Sequence, residues 1–564
     1  MATDNHAPIV LTEPLHVLII DDKSVDQRLA KDAFEATGLL MEFGFASSYE
    51  EALESLFQEY FDVAVIDLVL HEGELGPIQD WEGFDILQEI FDRGLHADIV
   101  VFINSAFAST PDVAREALYN FRVADLWDKR FDRATLTQSV QMALKREHYF
   151  GLTCQVAFES GLSWDILVSN LKLPFHKLSS FVRPDQANLE LRHIIRRLSP
   201  EATLLRIAGM DGGGSGAGVL RVTPYHDSRQ GADVVVKYGP LESIRREYEG
   251  WRLVARFISG FKSTQILKVV LGRHLAALEY SLVGAVLTEV VPFFKFYALA
   301  SAADITELFR KLFLDTCGLW YKNMTLDLTQ DLRLADTYSE YLGFDAANLE
   351  APYRFKYPEW PLSEREIRFP SLHRKLIHPI AAYCSGQANF ASKTGVCLTH
   401  GDLHGENIRV APRTRDAWLI DFGSSGYAHW ARDFVELEAV LKFQLMQPAE
   451  LPVLFEFEDA LASSDSLDAT PAFNRDDYPD LQKAFQCVVA LRQVAAQASR
   501  SLSPGVAHFD YMAALFYQTI NYVRRHRLIR GGQRKNHVLV SAALILEKLN
   551  ALRAASGTTT AMIS

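Results

Sequence analysis

The stretch HVLIIDDKSVDQRLAKDAFEA, residues 16–36, passes from an apolar run through two acids into an amphipathic helical pattern. A short apolar run rich in β-branched residues predicts a buried strand, and the repeat after it predicts a helix packed on that strand. The same unit recurs. MEFGFAS (41–47), DVAVIDL (62–68), DIVVFINS (98–105) and VADLWDK (123–129) predict further strands, with helical patterns over 25–36, 49–60 and 112–121 between them. Such alternation predicts an α/β, doubly wound parallel sheet with helices on both faces over residues 13–146.

Ligands of such sheets bind beyond the carboxyl ends of the strands. Asp21 and Asp22 fall at the end of the first strand, Asp67 at the third, Ser105 at the fourth and Lys129 at the fifth. Three converging acids repel one another unless a divalent cation lies between them, and carboxylate oxygens suit Mg2+. A carboxylate such as Asp67 is a competent nucleophile toward phosphorus, and Ser105 and Lys129 can hold the new phosphoryl oxygens. This set resembles the response-regulator receiver domain, a flavodoxin-like fold. The resemblance implies Asp67 as phosphoacceptor, Asp21, Asp22 and Asp67 as Mg2+ ligands, and Ser105 with Lys129 as the switch pair. It also implies a histidine kinase or phosphotransfer protein as partner. Arg130 stands where that family has proline, and Leu126 where it has an aromatic residue, with Trp127 adjacent. A receiver-like scaffold that only docks, or that forms a homodimer, is the alternative.

The chain of 564 residues is too long for one ordinary core, so roughly three or four units are expected. With 48% hydrophobic and 23% charged residues it has the composition of a folded protein. Its net charge of −14 argues against nucleic acid as a partner. Cys154, Cys317, Cys384, Cys397 and Cys487 show no CxxC spacing and are expected to be reduced thiols of a cytoplasmic protein. The start, MATDNHAPIV, lacks the basic-then-apolar pattern of a secretory signal. The most apolar long stretch, residues 281–304, is broken by Glu289, Pro292 and Lys295, which makes it protein core and not a membrane span.

Residues 147–202 show no strand alternation and are expected to be a helical linker, with QANLELRHIIRRL (186–198) docking on the segment after it. From 203 the period switches to two in TLLRIAGM, GVLRVTP, ADVVVKYG and GAVLTEVV, with LESIRREYEGWRLVARF (241–257) as an interrupting helix. Residues 203–292 thus form a β-rich part, 293–555 a mostly helical part, and 556–564 a flexible tail.

Inside the helical part lies HGDLHGENI, residues 400–408, with Asp402 and, five residues on, Asn407. Asp421 follows Asn407 by fourteen residues, after AWLI and before FG. Such a loop and strand can present one carboxylate to an acceptor hydroxyl, and an amide oxygen with a second carboxylate to Mg2+. Upstream, AGMDGGGSGAGVLRV is a glycine-rich turn in which Gly212, Gly213, Gly214 and Gly216 allow close approach to phosphate and Ser215 adds a donor. Lys237 follows Gly218 by nineteen residues on the next strand, and Glu247, ten further on, is placed on a helix to pair with it.

These motifs resemble the aminoglycoside and choline phosphotransferases, which have a bilobal, protein-kinase-like α+β fold. The resemblance spans roughly residues 189–555. It implies Asp402 as catalytic base, Asn407 and Asp421 on Mg2+, Lys237 on the phosphates of ATP with Glu247 as its partner, and adenine near 288–291, beside Glu289 and Val291. Asp433 would support the loop from behind. His400 and His404 are expected to bond the loop backbone. The pairing of the two halves looks like bacterial multi-component signalling or conflict proteins. The expected function is a bacterial signalling phosphotransferase, gated by phosphorylation of Asp67, that uses ATP and Mg2+ to phosphorylate a hydroxyl. The alternatives are a non-catalytic nucleotide-binding scaffold and a small-molecule kinase whose front domain only dimerises. The acceptor, protein or small molecule, is not legible. Two features bear on it: the basic run VRRHRLIRGGQRK (523–535), and FEFEDALASSDSLD (455–468), expected to be an acidic loop.

Overall fold

The computed structural model describes residues 14–70, 81–92, 99–147, 154–171, 184–210, 217–226, 229–258, 264–281, 290–326, 332–524 and 532–555. The chain divides into two compact units, Met1–Tyr248 with Gln265–Leu282, and Glu249–Thr264 with Val283–Ser564.

The first unit opens with β1 (Leu15–Ile20), α1 (Ser24–Glu35), β2 (Met41–Ala46), α2 (Tyr49–Gln58) and β3 (Val63–Ile66). α3 (Glu82–Asp92), β4 (Val100–Ser105), α4 (Pro111–Arg115), β5 (Asp125–Asp128) and α5 (Arg133–Glu147) follow. The strands pair in the order β2-β1-β3-β4-β5, and every pairing is parallel. This is the doubly wound order expected from the sequence, with its switch point between β1 and β3. Strand periodicity of two explains its two cores. Val17, Ile19, Val65, Phe102 and Trp127 face one side, while Leu18, Ile20, Ile66 and Ile103 face the other.

The segment expected to be a helical linker is part of a second sheet. Its β6 (Gln155–Phe158) runs parallel to β7 (Leu204–Gly209), and α6 (Trp164–Ser169) and α7 (Pro184–Leu198) lie between them in the chain. The sheet continues through β8 (Gly218–His226), β9 (Arg229–Gln230) and β10 (Val234–Pro240), and after α8 (Leu241–Val254) through β11 (Ile266–Leu271) and β12 (Leu275–Tyr280). Its order is β11-β12-β10-β8-β7-β6, with β9 on β8. Trp164, Leu167, Leu191, Ile194 and Ile195 share one core with Leu205, Leu220, Val236 and Leu275, so the described parts of the expected linker, 154–171 and 184–202, belong to this sheet. The boundary expected at 292 also differs, because 249–264 and 283–292 fall in the second unit.

The second unit is mainly helical. Helices Arg432–Val440, Pro479–Ala498, Pro504–Asn521 and Gly532–Ala555 each contribute to its apolar core. The hairpin Ile408–Ala411 and Asp416–Leu419 pairs with Val291–Pro292, and Gly395–Thr399 lies between Thr325–Leu326 and Gly426–His429. Much of the expected acidic loop is the helix Leu451–Ala462, with Phe457 and Glu458 buried. All five cysteines are free thiols. Among the described residues no helix is long and apolar enough to cross a membrane.

Candidate functional site

At the carboxyl ends of β1 and β3, Asp21, Asp22 and Asp67 bring one oxygen each within 4.8 Å of one another. Such a hard-oxygen set fits a divalent cation. Lys129, just past β5, places its Nζ 2.8 Å from Asp21, 2.7 Å from Asp67 and 2.8 Å from Asp26 on α1. One ammonium thus stands among four carboxylates, and this imbalance favours a further cation. Burial pushes the Asp21 carboxyl up to about 6, against the pull of Lys129. Burial alone would lower Lys129, but its bonds to Asp21, Asp26 and Asp67 raise it above the ordinary lysine value. Ser105 is buried at the end of β4. Gly83 lets α3 close on the chain after β3, since a β-carbon there would lie 2.4 Å from the Leu68 Cα.

Both departures from the receiver pattern have a structural counterpart. Trp127 packs on Phe34 and Phe102 and donates its indole N–H to Ser139, so it belongs to the core, while Leu126 packs on the opposite face of the sheet. Arg130 bonds Asp128 and reaches Ser109.

In the second sheet Lys237 lies on β10 opposite Leu278 of β12, and its Nζ is 2.7 Å from Glu247 on α8. Tyr280, the last residue of β12, donates its hydroxyl to Glu247. The glycine-rich residues 212–216 and Glu289 lie outside the described residues, whereas Val291 pairs with Val410.

The motif loop of the second unit is built from its backbone. Asp433, buried at the start of the helix Arg432–Val440, accepts from the amides of His400 (2.7 Å) and Gly401 (2.8 Å). Glu436, one turn on, accepts from Leu403 N at 3.1 Å. His400 Nε2 lies 2.9 Å from the Ile420 carbonyl, and His404 Nδ1 accepts from Glu406 N. Asn407 donates from its amide nitrogen to the Asp402 carbonyl at 2.9 Å, which leaves its amide oxygen for another partner. Ile420 N bonds Asn407 O at 3.1 Å, so Asn407 and Asp421 flank the same end of the hairpin. Asp421 has φ 65°, a left-handed conformation that non-glycine residues adopt mainly where structure imposes it. Asp402 is partly exposed beside these groups. An amide oxygen and a carboxylate are again donors that suit Mg2+.

Asp26, Tyr280 and Glu436 belong to no motif read from the sequence. Glu436 does carry a signal, being one helical turn from Asp433. Asp26 and Tyr280 act through contacts remote in the chain. Of the basic run, Arg524 donates to the Gly343 carbonyl and Arg534 to that of Met446, while Arg525, Arg527 and Arg530 lie outside the described residues.

Residues 362–521, which contain the motif loop, Asp421 and Asp433, match the family model described as Ternary complex associated domain 9. No curated protein matches the chain. Similar solved structures include a receiver domain protein, CheY-like, from Methanospirillum hungatei JF-1, with 20% identity, covering 24% of this chain and 97% of that one at a TM-score of 0.20. A response regulator from Thermotoga maritima is 19% identical, with 24% and 99% covered and a TM-score of 0.20. The receiver domain of Francisella response regulator 1452 is 25% identical, with 24% and 98% covered and a TM-score of 0.19. The strand order itself gives the front domain its receiver-like α/β fold.

Proposed function

We propose that this chain is a signalling phosphotransferase of protein-kinase-like fold, using ATP and Mg2+ to phosphorylate a hydroxyl and gated by phosphorylation of Asp67. The observation that carries the reading is the loop 400–408, fixed by Asp433 and bonded to Ile420, the residue before Asp421. A loop held so firmly by buried acids suits a reaction in which positioning is most of the catalysis. The acceptor oxygen attacks the γ-phosphorus, its proton passes to the Asp402 carboxylate, and the bond from γ-phosphorus to the bridging oxygen breaks to release ADP. Asn407 and Asp421 would hold Mg2+, which neutralises phosphate charge, and Lys237, kept in place by Glu247, would hold the phosphate tail. At the front, Asp67 would take a phosphoryl group from a histidine kinase or phosphotransfer protein, with Lys129 and Ser105 binding its oxygens.

The test is ATP turnover by the whole chain. Asp402→Ala is expected to lower turnover by about 10²–10⁴-fold, the usual contribution of a general base. Equal turnover removes the catalytic claim, and nucleotide binding without turnover in the wild type favours a scaffold. Asp67→Ala is expected to abolish any effect of acetyl phosphate. If acetyl phosphate acts identically on it and on the wild type, the front domain is no gate.

A further inference from the structure

β12 connects two sets of contacts. At its first end Arg273 donates to the Leu56, Glu59 and Phe61 carbonyls at 3.0, 2.7 and 3.3 Å, and its guanidinium lies 5.1 Å from the Tyr60 ring centre. Those carbonyls end α2 and lead into β3, where a cation is favoured by the negative end of the helix dipole. The same edge of the front domain is held by α7. Gln186 accepts from Tyr60 N, and His193 Nε2 lies 3.1 Å from Asp62, which is fully buried and also accepts from His16 N. Gln186, Glu190 and His193 follow the i, i+4, i+7 spacing of one helical stripe. Glu190 ties that stripe to the start of β12, accepting from His274 N at 2.7 Å and Leu275 N at 2.9 Å. A β-carbon at Gly272 would lie 2.5 Å from Glu190 Oε1 and 2.9 Å from the Leu275 carbonyl oxygen, so a larger residue there would disturb this contact.

At its other end β12 finishes in Tyr280, whose hydroxyl holds Glu247, the partner of Lys237. All six residues of the strand are buried, and it is bonded on both sides, to β11 and β10. An element packed on all sides transmits a displacement of one end to the other. On the receiver side β3 runs directly from Asp62 to Asp67, roughly 16 Å at the usual strand rise.

We propose that β12 couples the receiver to the Lys237–Glu247 pair, with Arg273 as the anchor on the receiver and Tyr280 as the positioning residue for Glu247. The link to catalysis rests on the phosphotransferase reading; the mechanical link does not. The contact uses the edge of the front domain opposite Asp67, so it leaves the phosphorylation site open to a partner.

The experiment is hydrogen exchange of the full chain, with and without Mg2+ and beryllofluoride as the phosphoryl mimic, together with titration of Mg2+–ATP. In the wild type beryllofluoride is expected to change exchange at 100–105, at 275–280 and at 241–248 by about threefold or more. Arg273→Gln is expected to keep the response at 100–105 and lose it at 275–280. Arg273→Lys, whose single ammonium cannot reach three carbonyls, guards against a folding defect and is expected to behave likewise. Tyr280→Phe is expected to keep the response at 275–280 and lose it at 241–248, with affinity for Mg2+–ATP about fivefold weaker and no longer sensitive to beryllofluoride. A response at 275–280 that survives both Arg273 variants overturns the coupling, as does a wild type that responds at 100–105 alone or nowhere. A wild type that responds at 275–280 but binds no Mg2+–ATP sinks the phosphotransferase reading and leaves the coupling standing.

Discussion

At Gly401 the chain turns with φ 81°, and a β-carbon built there would lie 2.1 Å from the Ser424 carbonyl oxygen. Two costs combine in Gly401→Ala, the left-handed backbone, about 1–2 kcal/mol, and displacement of a backbone carbonyl that has no rotamer by which to yield. Gly423 is the control, because a β-carbon there meets only Asp421 Oδ1 at 3.7 Å, an ordinary contact. Gly401→Ala is expected to lower unfolding free energy by about 2 kcal/mol or more, and Gly423→Ala by less than about 1 kcal/mol, both read by denaturant titration. Equal losses would show that the loop is not under the constraint described. At this scale the sequence is informative where chemistry is local. Asp402, Asn407 and Asp421 are legible because their spacing lies within one loop and hairpin. Asp26 and Tyr280 are not, because Lys129 and Glu247 reach them only after the chain has folded back on itself.

Among the elements, the helix Pro504–Asn521 carries a buried histidine whose protonation the fold opposes. His508 is driven down to about 4, by burial first and then by Arg492 and Lys548, with Asp465 pulling the other way. The unfolded histidine takes a proton near 6.5 while the folded one stays neutral until about 4. The corresponding stability is therefore complete above 6.5 and is lost as pH falls toward 4, about 3 kcal/mol in all. His378 is lowered by burial too, so the quantity to read is the difference between wild type and His508→Asn. The variant is expected to show a shallower fall in unfolding free energy between pH 6.5 and 4.5, and parallel curves would refute the assignment. Glu458 does not confuse this window. Burial would raise it, but Lys442 and His537 bring it to about 2, so its own loss begins only below 4.5. Elements also show why part of the fold is hidden from the sequence. The front strands are legible because apolar runs and amphipathic helices alternate cleanly. β12, LAALEY, is made of good helix formers up to Tyr280 and is buried at every position, so neither propensity nor alternation marks it, and tertiary packing decides. β6 is one exposed and three half-buried residues at a sheet edge, below what periodicity can register.

For the molecule as a whole, the consequence of β6 and α7 is a different place to cut the chain. A boundary at 202 would remove Trp164, Leu167, Val168, Leu171, Leu191, Ile194, Ile195 and Leu198 from the core they share with Leu205, Leu220, Val236, Tyr238, Leu275 and Ala277. Each large apolar side chain contributes about 1.5–3 kcal/mol on burial, so the summed loss is as large as the roughly 5–15 kcal/mol by which a domain is stable, or larger. A boundary before Cys154 removes only the front domain. It frees Gln186, His193 and Arg273, polar groups that water can satisfy, and leaves the second sheet complete. The fragment 154–555 is therefore expected to be recovered folded, with one cooperative transition involving its sheet, and 203–555 to aggregate or to bind a dye specific for exposed apolar surface. Comparable yield and cooperativity for the two fragments would mean that residues 154–202 are dispensable for folding of the second sheet.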